Sequence, residues 1–334
     1  MTQETKGQVV VSGMRPTGRL HLGHLLGTLR NWVALQEDHR CLFFVADWHV
    51  LTTDYERPKD VAEFAEEMVL DWLAAGLDPE RCVIFRQSDV LEHAELALLL
   101  GMLTPVPWLE RNPTYKDQKA QLEGRDLSTY GFLGYPVLQA ADILLYKGVA
   151  VPVGIDQVPH VELTRDIARR FNHLYGPTLP EPRALLSPTP KVPGLDGRKM
   201  SKSYGNAILL DEEPASIEKR LGRMATDPAR VRLKDPGDPA QCPAFHLHQV
   251  YCSPEELDQV SEGCRTAAFG CLDCKKVMIP HLLADLVPHR ERRAEIAARP
   301  GYVREVLAAG RDAASAIARE TMAEVRAAMH LRTS

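Results

Sequence analysis

Residues 9–26 read Val-Val-Val-Ser-Gly-Met-Arg-Pro-Thr-Gly-Arg-Leu-His-Leu-Gly-His-Leu-Leu. Three β-branched residues in a row form a short buried strand, Gly13, Pro16 and Gly18 punctuate a turn, and a helix begins around His21. In open α/β sheets ligands collect at the carboxyl ends of strands, and a helix N-terminus offers free N–H groups and partial positive charge to phosphate. His21 and His24 lie three apart and share one face of the first turn. From there both can donate hydrogen bonds to a phosphate oxygen as negative charge builds on it. Gly23 lets a ligand approach the backbone without a side chain in the way. Taken alone, two histidines at a helix start read equally as capping or surface residues.

Outward from this unit the first half of the chain alternates strand and helix signals. Apolar runs at 41–45, 82–85 and 149–153 read as strands, and helical spacing marks 22–36, 60–75, 92–103 and 157–172. The alternation predicts parallel strands covered by helices on both faces, an α/β doubly wound sheet. The glycine- and proline-rich stretch 188–205 reads as a mobile loop. Beyond it β-branched runs vanish, and 212–224, 254–263 and the Ala-rich 302–329 are helical. The boundary near residue 205 thus divides an α/β nucleotide-binding half, 1–205, from an all-helical half, 206–334, whose last helix can pack back on the first.

At 334 residues there is room for two or three domains with ample core. No apolar run of about 18 residues occurs and no secretory pattern opens the chain, so no membrane partner is expected and a cytoplasmic location is. The net charge of −5 excludes a protein that coats nucleic acid electrostatically, and any RNA contact needs a local basic patch. Lys219, Arg220, Arg223, Arg230, Arg232 and Lys234 form one candidate; a solvated helix face and loop is the other reading.

Lys199 to Ser203 spell KMSKS. Lys199 and Lys202 bring two ammonium groups to one loop, where Asp196 is the main local partner, and a polyphosphate arriving between them relieves their repulsion. Gly194, Gly197 and Gly205 flank the loop as hinges for closing over pyrophosphate. The pairing of His-Leu-Gly-His with KMSKS resembles the two ATP-binding signatures of class I aminoacyl-tRNA synthetases. That resemblance implies a Rossmann-like catalytic domain, ATP with Mg2+ as substrate, and His21, His24, Lys199 and Lys202 as the catalytic groups.

The stretch 135–172, YPVLQAADILLYKGVAVPVGIDQVPHVELTRDIARRFN, resembles tryptophanyl-tRNA synthetases, as do Ala46-Asp47-Trp48-His49 and residues 197–206. Tyr135, Gln139, Asp142 and Tyr146 fall at helical spacing in an otherwise apolar segment, which lines polar groups along one face. A buried carboxylate there needs a donor, and an indole N–H is one. By resemblance Asp142 reads the indole, Val151 and Val153 flank it, Gln157 sits near the substrate amine with Gln139 on the same side, Tyr135 is a further tryptophan contact, and His49 contacts the pocket rim. Arg15, Pro16, Thr17, Gly23, Gly154, Ile155, Asp156 and Val192, with Met200, Ser201 and Ser203 of the signature loop, match segments lining ATP. Two departures stand out: Gln139 where most tryptophanyl enzymes carry Met and tyrosyl enzymes carry Gln, and Ile155 where many carry Glu. The implied partners are L-tryptophan and tRNA(Trp), the helical half meeting the tRNA anticodon, and the implied assembly is a homodimer. Tyrosyl-tRNA synthetase, a non-aminoacylating RNA-binding or redox-sensing paralogue, and a simpler nucleotidyltransferase are the rival readings.

Five of the seven cysteines lie between Cys242 and Cys274. In a reducing compartment such clustering points to metal ligation over disulfides. Cys242, Cys264, Cys271 and Cys274 give C-x21-C-x6-C-x2-C, four soft ligands that suit either Zn2+ or a [4Fe-4S] cluster. A subset of tryptophanyl enzymes carries a [4Fe-4S] cluster at nearly this spacing, which implies the cluster here. Cys252 is a spare that can replace Cys242, and Cys41 and Cys82 read as packed core residues.

Overall fold

The computed structural model describes residues 6–55, 60–113, 128–186 and 192–331. Residues 188–191, which open the glycine- and proline-rich loop, lie outside the described residues. Five strands, β1 (Val9–Met14), β2 (Arg40–Val45), β3 (Cys82–Arg86), β4 (Ala150–Val153) and β5 (Arg183–Leu186), form one sheet in the order β3-β2-β1-β4-β5. Every pairing is parallel; β1 runs alongside β2 from Val9 opposite Arg40 to Met14 opposite Val45, and meets β4 at Val10 opposite Ala150. The chain therefore builds outward in one direction from β1 to β3 and in the other from β4 to β5. The switch lies between β1 and β4.

Because both faces are covered, the strands are apolar throughout. Alternate residues feed two cores: Val10, Phe43 and Ile84 face Trp32, Met68 and Trp72, while Val11, Phe44 and Phe85 face Leu96, Leu100, Leu144 and Phe171. Trp32 stacks on Phe43 with ring centroids 4.4 Å apart and meets Trp72 edge-on at 5.1 Å. Cys41 and Cys82 sit side by side on β2 and β3 within the first core, as expected.

The helix expected over 22–36 is α1 (Leu22–His24), a π-turn (Leu25–Leu29) and α2 (Arg30–Leu35). Such an insertion recurs at functional sites. There follow α3 (Asp47–Asp54), α4 (Val61–Ala74), α5 (Glu92–Leu103), α6 (Val106–Glu110), α7 (Tyr130–Leu144) and α8 (Val158–Tyr175). The second half holds α9 (Pro214–Gly222), α10 (Pro243–Tyr251), α11 (Pro254–Arg265), α12 (Cys271–Ala297) and α13 (Tyr302–Ala328). Strand β5 and helices α3, α10 and α12 carry no clear pattern in the sequence. Pro280 and Pro288 lie inside α12 and mask it, since proline removes a helical hydrogen bond and clashes with the preceding turn. Among the described residues no helix is long and apolar enough to cross a membrane.

The last two helices return to the sheet layer. Met278, Ile279, Leu282 and Leu286 of α12 share the first core with Met68 and Trp72 of α4, and Ala314, Ala318, Met322 and Val325 of α13 share the second with Phe85. At Gly310 α13 approaches β3 so closely that a Cβ would land on the Ile84 carbonyl. Neither backbone can yield cheaply. Gly310→Ala should therefore lower the unfolding free energy by roughly 2–3 kcal/mol. A urea titration showing no loss of stability would mean that the helix shifts freely on the strand.

Candidate active site

A cavity of about 400 Å³ opens at the carboxyl ends of β1 and β4, where the strand order reverses. Its wall gathers eleven of the residues singled out from the sequence. Arg15, Thr17 and His24 come from the β1 turn and the helix after it, His49 from α3, and Tyr135, Gln139 and Asp142 from α7. Val151 and Val153 of β4, then Gly154 and Gln157, complete the set. Ser12, Thr28 and His160 also line it and were not anticipated. Ile155 and Asp156 are exposed on the short 3-10 turn after Gly154, and Pro16 is buried beneath the β1 turn.

The two histidines after β1 cap their own helix reciprocally. His21 Nδ1 accepts from the Gly23 N–H at 3.1 Å, and His24 Nδ1 accepts from the His21 N–H at 3.2 Å. Their rings lie 3.7 Å apart. Burial, reinforced by the charges of Lys202 and Lys199, lowers the His21 pKa to about 4. Burial, then His21 and the same lysines, hold His24 well below its ordinary value. Both rings are neutral near pH 7, and with each Nδ1 used as an acceptor each Nε2 carries the proton. The pair is thus both a cap and two N–H donors.

The KMSKS loop sits beside this pair, since both of its lysines bear electrostatically on both imidazoles. Lys202 Nζ donates to the Thr17 carbonyl at 3.0 Å, and Gly18 passes close beneath that ammonium. Burial lowers the Lys202 pKa to about 8. Lys199 and Ser203 are exposed, Met200 is buried, and Ser201 Oγ pairs with Ser203 Oγ at 2.8 Å. Asn206 staples the loop: its Oδ1 accepts from the Ser201 N–H, and its Nδ2 donates to Asp196 and to the Lys199 carbonyl. Asp196 is therefore not a lysine partner; it binds Asn206 and Arg198. The Val192 carbonyl accepts from the Met200 N–H at 3.2 Å, which ties the approach strand to the signature.

Deep in the cavity Asp142 is 1% exposed. Its Oδ2 accepts from His49 Nε2, and its Oδ1 accepts from His93 Nδ1 and Gln87 Nε2, each at 2.7 Å. Burial pushes the carboxyl up, but the charge and hydrogen bond of His49 and the hydrogen bond from His93 outweigh it and hold the pKa at about 2. Asp142 is an ionised acceptor. A second chain joins Gln157, His160 and Tyr135: His160 Nδ1 donates to Gln157 Oε1 at 3.0 Å and Nε2 accepts from the Tyr135 hydroxyl at 2.8 Å. Burial lowers the His160 pKa to about 4, so a neutral ring leaves lone pairs on both neighbours free to accept from a cation. Gln87, His93 and His160 escaped the sequence reading; only the position of His160 on the turn after Gln157 could have hinted at it.

The four cysteines of the second half lie at the start of α10, the end of α11 and the start of α12, near enough for the other three to bear electrostatically on Cys274. Burial raises the Cys274 pKa to about 12, and Cys242, Cys264 and Cys271 each add to the rise. Among the described residues no three His, Cys, Asp or Glu side chains are set to hold a metal ion as they stand. Cys252 closes α10 and lies outside this group, raised by burial and Glu256 and not by the other thiols.

The family model for tRNA synthetases class I (W and Y) matches residues 3–281. A tryptophan–tRNA ligase of Thermotoga maritima is 55% identical over 324 residues, covering 96% of this chain and 99% of that protein. One from Ralstonia nicotianae is 47% identical over 395 residues, covering 97% and 99%. Among solved structures, tryptophanyl-tRNA synthetase of Campylobacter jejuni complexed with ADP and tryptophan superposes with a TM-score of 0.84 at 31% identity, covering 97% of this chain and all of that one.

The depressed Lys202 pKa has a measurable consequence. As pH rises through about 8 the free protein loses this charge, whereas a bound polyphosphate favours the charged form. Pyrophosphate affinity should fall as pH is raised from about 7 to 9.5, and Lys202→Ala should remove most of that slope. Identical pH profiles for the two proteins, followed by calorimetry, would place the titration elsewhere.

Proposed function

The chain belongs to the tRNA synthetases class I (W and Y), and from that membership we propose how its residues carry out the ATP-dependent attachment of tryptophan to tRNA. Tryptophan and MgATP give tryptophanyl-adenylate and pyrophosphate; the acyl group then passes to the 3′-terminal ribose of tRNA(Trp). In the first step a carboxylate oxygen of tryptophan bonds to the α-phosphorus, and the bond from that phosphorus to the bridging oxygen of pyrophosphate breaks. In the second a ribose hydroxyl attacks the acyl carbon and AMP leaves. No covalent enzyme intermediate is needed, and catalysis is positioning plus charge stabilisation.

The observation that carries the reading is the buried Asp142 carboxylate, accepting from three side chains inside a cavity that His24 also lines, with His21 beside His24. Asp142 accepts the indole N–H, with Val151 and Val153 on the flanks of the ring and His49 at the rim. Tyr135, Gln157 and Gln139 accept from the substrate ammonium. His21 and His24 donate through Nε2 to the α-phosphate as charge builds. Lys199 and Lys202 take the charge of the departing pyrophosphate, with Met200, Ser201 and Ser203 shaping the loop around it. Arg15, Pro16, Thr17, Gly23, Gly154, Ile155, Asp156 and Val192 border the nucleotide.

Residues 1–205 form the catalytic domain and 206–334 the tRNA-binding one. Lys219, Arg223, Arg232 and Lys234 are exposed and suit RNA contact, whereas Arg220 is paired to Glu212 and Arg230 holds the Phe269 and Leu233 carbonyls. Leu91, Leu98 and Met102 are exposed along one side of α5, with Val106 and Tyr130 also exposed, and support a homodimer interface. The enzyme works in the cytoplasm.

Cys242, Cys264, Cys271 and Cys274 would hold a [4Fe-4S] cluster, with Zn2+ the alternative. The chemistry of the donor set supports this: four free thiols lie near enough to bear electrostatically on one another, though not set to ligate as they stand, and the cations of Arg230 and the buried Lys275 lie near them to offset thiolate charge. When bound, the group ties α10, α11 and α12 together. Anaerobically purified protein should be brown, with about four irons per chain, and Cys271→Ser should bleach it. Stoichiometric zinc without iron would replace the cluster with the alternative.

Amino-acid-dependent pyrophosphate exchange with tryptophan, tyrosine and phenylalanine tests the main reading. Exchange should follow tryptophan alone. Asp142→Asn should lower the preference for tryptophan, in a site type where hydrogen bonding can contribute roughly 10⁴- to 10⁵-fold. Wild-type selectivity in that variant would remove Asp142 as the indole reader.

A further inference from the structure

Four side chains surround or extend the Asp142 carboxylate, and three of them, Gln87, His93 and Tyr146, lie outside the substrate contacts just described and do not line the cavity. An ionised carboxylate offers about four acceptor positions, two on each oxygen. His93 Nδ1 and Gln87 Nε2 fill both positions on Oδ1, while His49 takes one on Oδ2. One position is left, on Oδ2. Gln87 is held in register because its Oε1 accepts from the Trp48 N–H at 3.2 Å, which turns its NH2 toward Asp142. His93 is fully buried and bonded at both ring nitrogens, with the Tyr146 hydroxyl 2.7 Å from its Nε2. Since a carboxylate only accepts, His93 Nδ1 carries a proton; in the neutral ring Nε2 then accepts from Tyr146.

We propose that His93, set by Tyr146, is a positioning and specificity-determining residue: it saturates Oδ1 of Asp142 so that the carboxylate stays charged and presents a single acceptor on Oδ2 to the substrate ring. The assignment rests on the reading of Asp142 as the indole acceptor. The physical need is plain. Burial by itself favours the neutral carboxyl, and a protonated carboxyl would donate as well as accept, so it could no longer select for a ring N–H. Hydrogen bonds to the charged form keep it an acceptor. Gln87, equally buried and backed by the Trp48 N–H, supplies the second bond from the end of β3, and His93 supplies the one relayed to a side-chain hydroxyl, that of Tyr146.

The test compares tryptophan with its benzothiophene isostere, in which sulfur replaces the ring N–H, in pyrophosphate exchange. His93→Leu should raise the KM for tryptophan by roughly 10- to 100-fold, the range for losing a hydrogen bond to a charged group, and shrink the preference over the isostere by the same factor. The kcat at saturating tryptophan and the KM for ATP should stay near wild type. In the same variant the KM for tryptophan should rise as pH falls, because one of the bonds that hold the carboxyl low is lost and only His49 and Gln87 remain, whereas the wild-type value stays flat. His93→Asn, which keeps a donor near Nδ1, should restore both preference and profile. A folded His93→Leu protein with wild-type preference and a flat profile overturns the proposal. If the leucine variant does not fold, Tyr146→Phe decides: a reduced preference with unchanged KM for ATP supports the assignment, and an unaltered preference overturns it. Asp142→Asn run alongside separates the two levels. Intact preference there defeats the indole reading itself, while lost preference there with intact preference in His93→Leu defeats only the role of His93.

Discussion

A carboxylate sealed from water at the inner end of a cavity is the constraint around which this molecule is arranged. An unpaired ion at the depth of Asp142 would cost several kcal/mol. The charge survives because His49 from α3, Gln87 from the end of β3 and His93 from α5 reach it together. Those three segments follow β2 and β3, while Asp142 rides on α7 just before β4. Satisfying one side chain therefore requires that the two halves of the sheet, and the helices above them, meet in a single register.

The turn after β1, which brings His24 to the cavity wall, obeys a different rule. There the helix N-terminus leaves free N–H groups, and His21 and His24 satisfy two of them with their own Nδ1 atoms. The same bonds fix both imidazoles and leave the proton on each Nε2. Burial first, and then the charges of Lys202 and Lys199, suppress imidazolium formation, so that two cations and two neutral donors coexist near one another. Asn206, almost fully buried, holds the loop that delivers the lysines.

The second half of the chain is joined to this apparatus. Gly197, just before the KMSKS loop, leaves room for the ring of Pro243, the residue after Cys242. Lys275, beside Cys274, donates to the Gly222 and Met224 carbonyls at the end of α9, and the next residue, Ala225, bonds back to the Leu195 carbonyl. The four thiols and the signature loop thus rest on common backbone.

The sequence by itself determined the strand-and-helix alternation, the parallel sheet, and the two signatures, because each depends on local pattern: β-branched runs, helical spacing, and short motifs in which neighbours along the chain are neighbours in space. It marked Asp142 as well, since a carboxylate in an apolar helix stands out. Helix α12 stayed hidden because its two prolines contradict local propensity and its stability comes from packing on α4. Strand β5 is four residues at the sheet edge and too short to show a period. Only the tertiary structure decided that His93 and Gln87 belong to the site. Asp142 lies 49 and 55 residues from them in sequence, and nothing local distinguishes a histidine that holds a distant carboxylate from one that packs in a core. The protonation states were decided there too, because burial and the approach of Lys202 to His21 arise only when the chain folds back on itself.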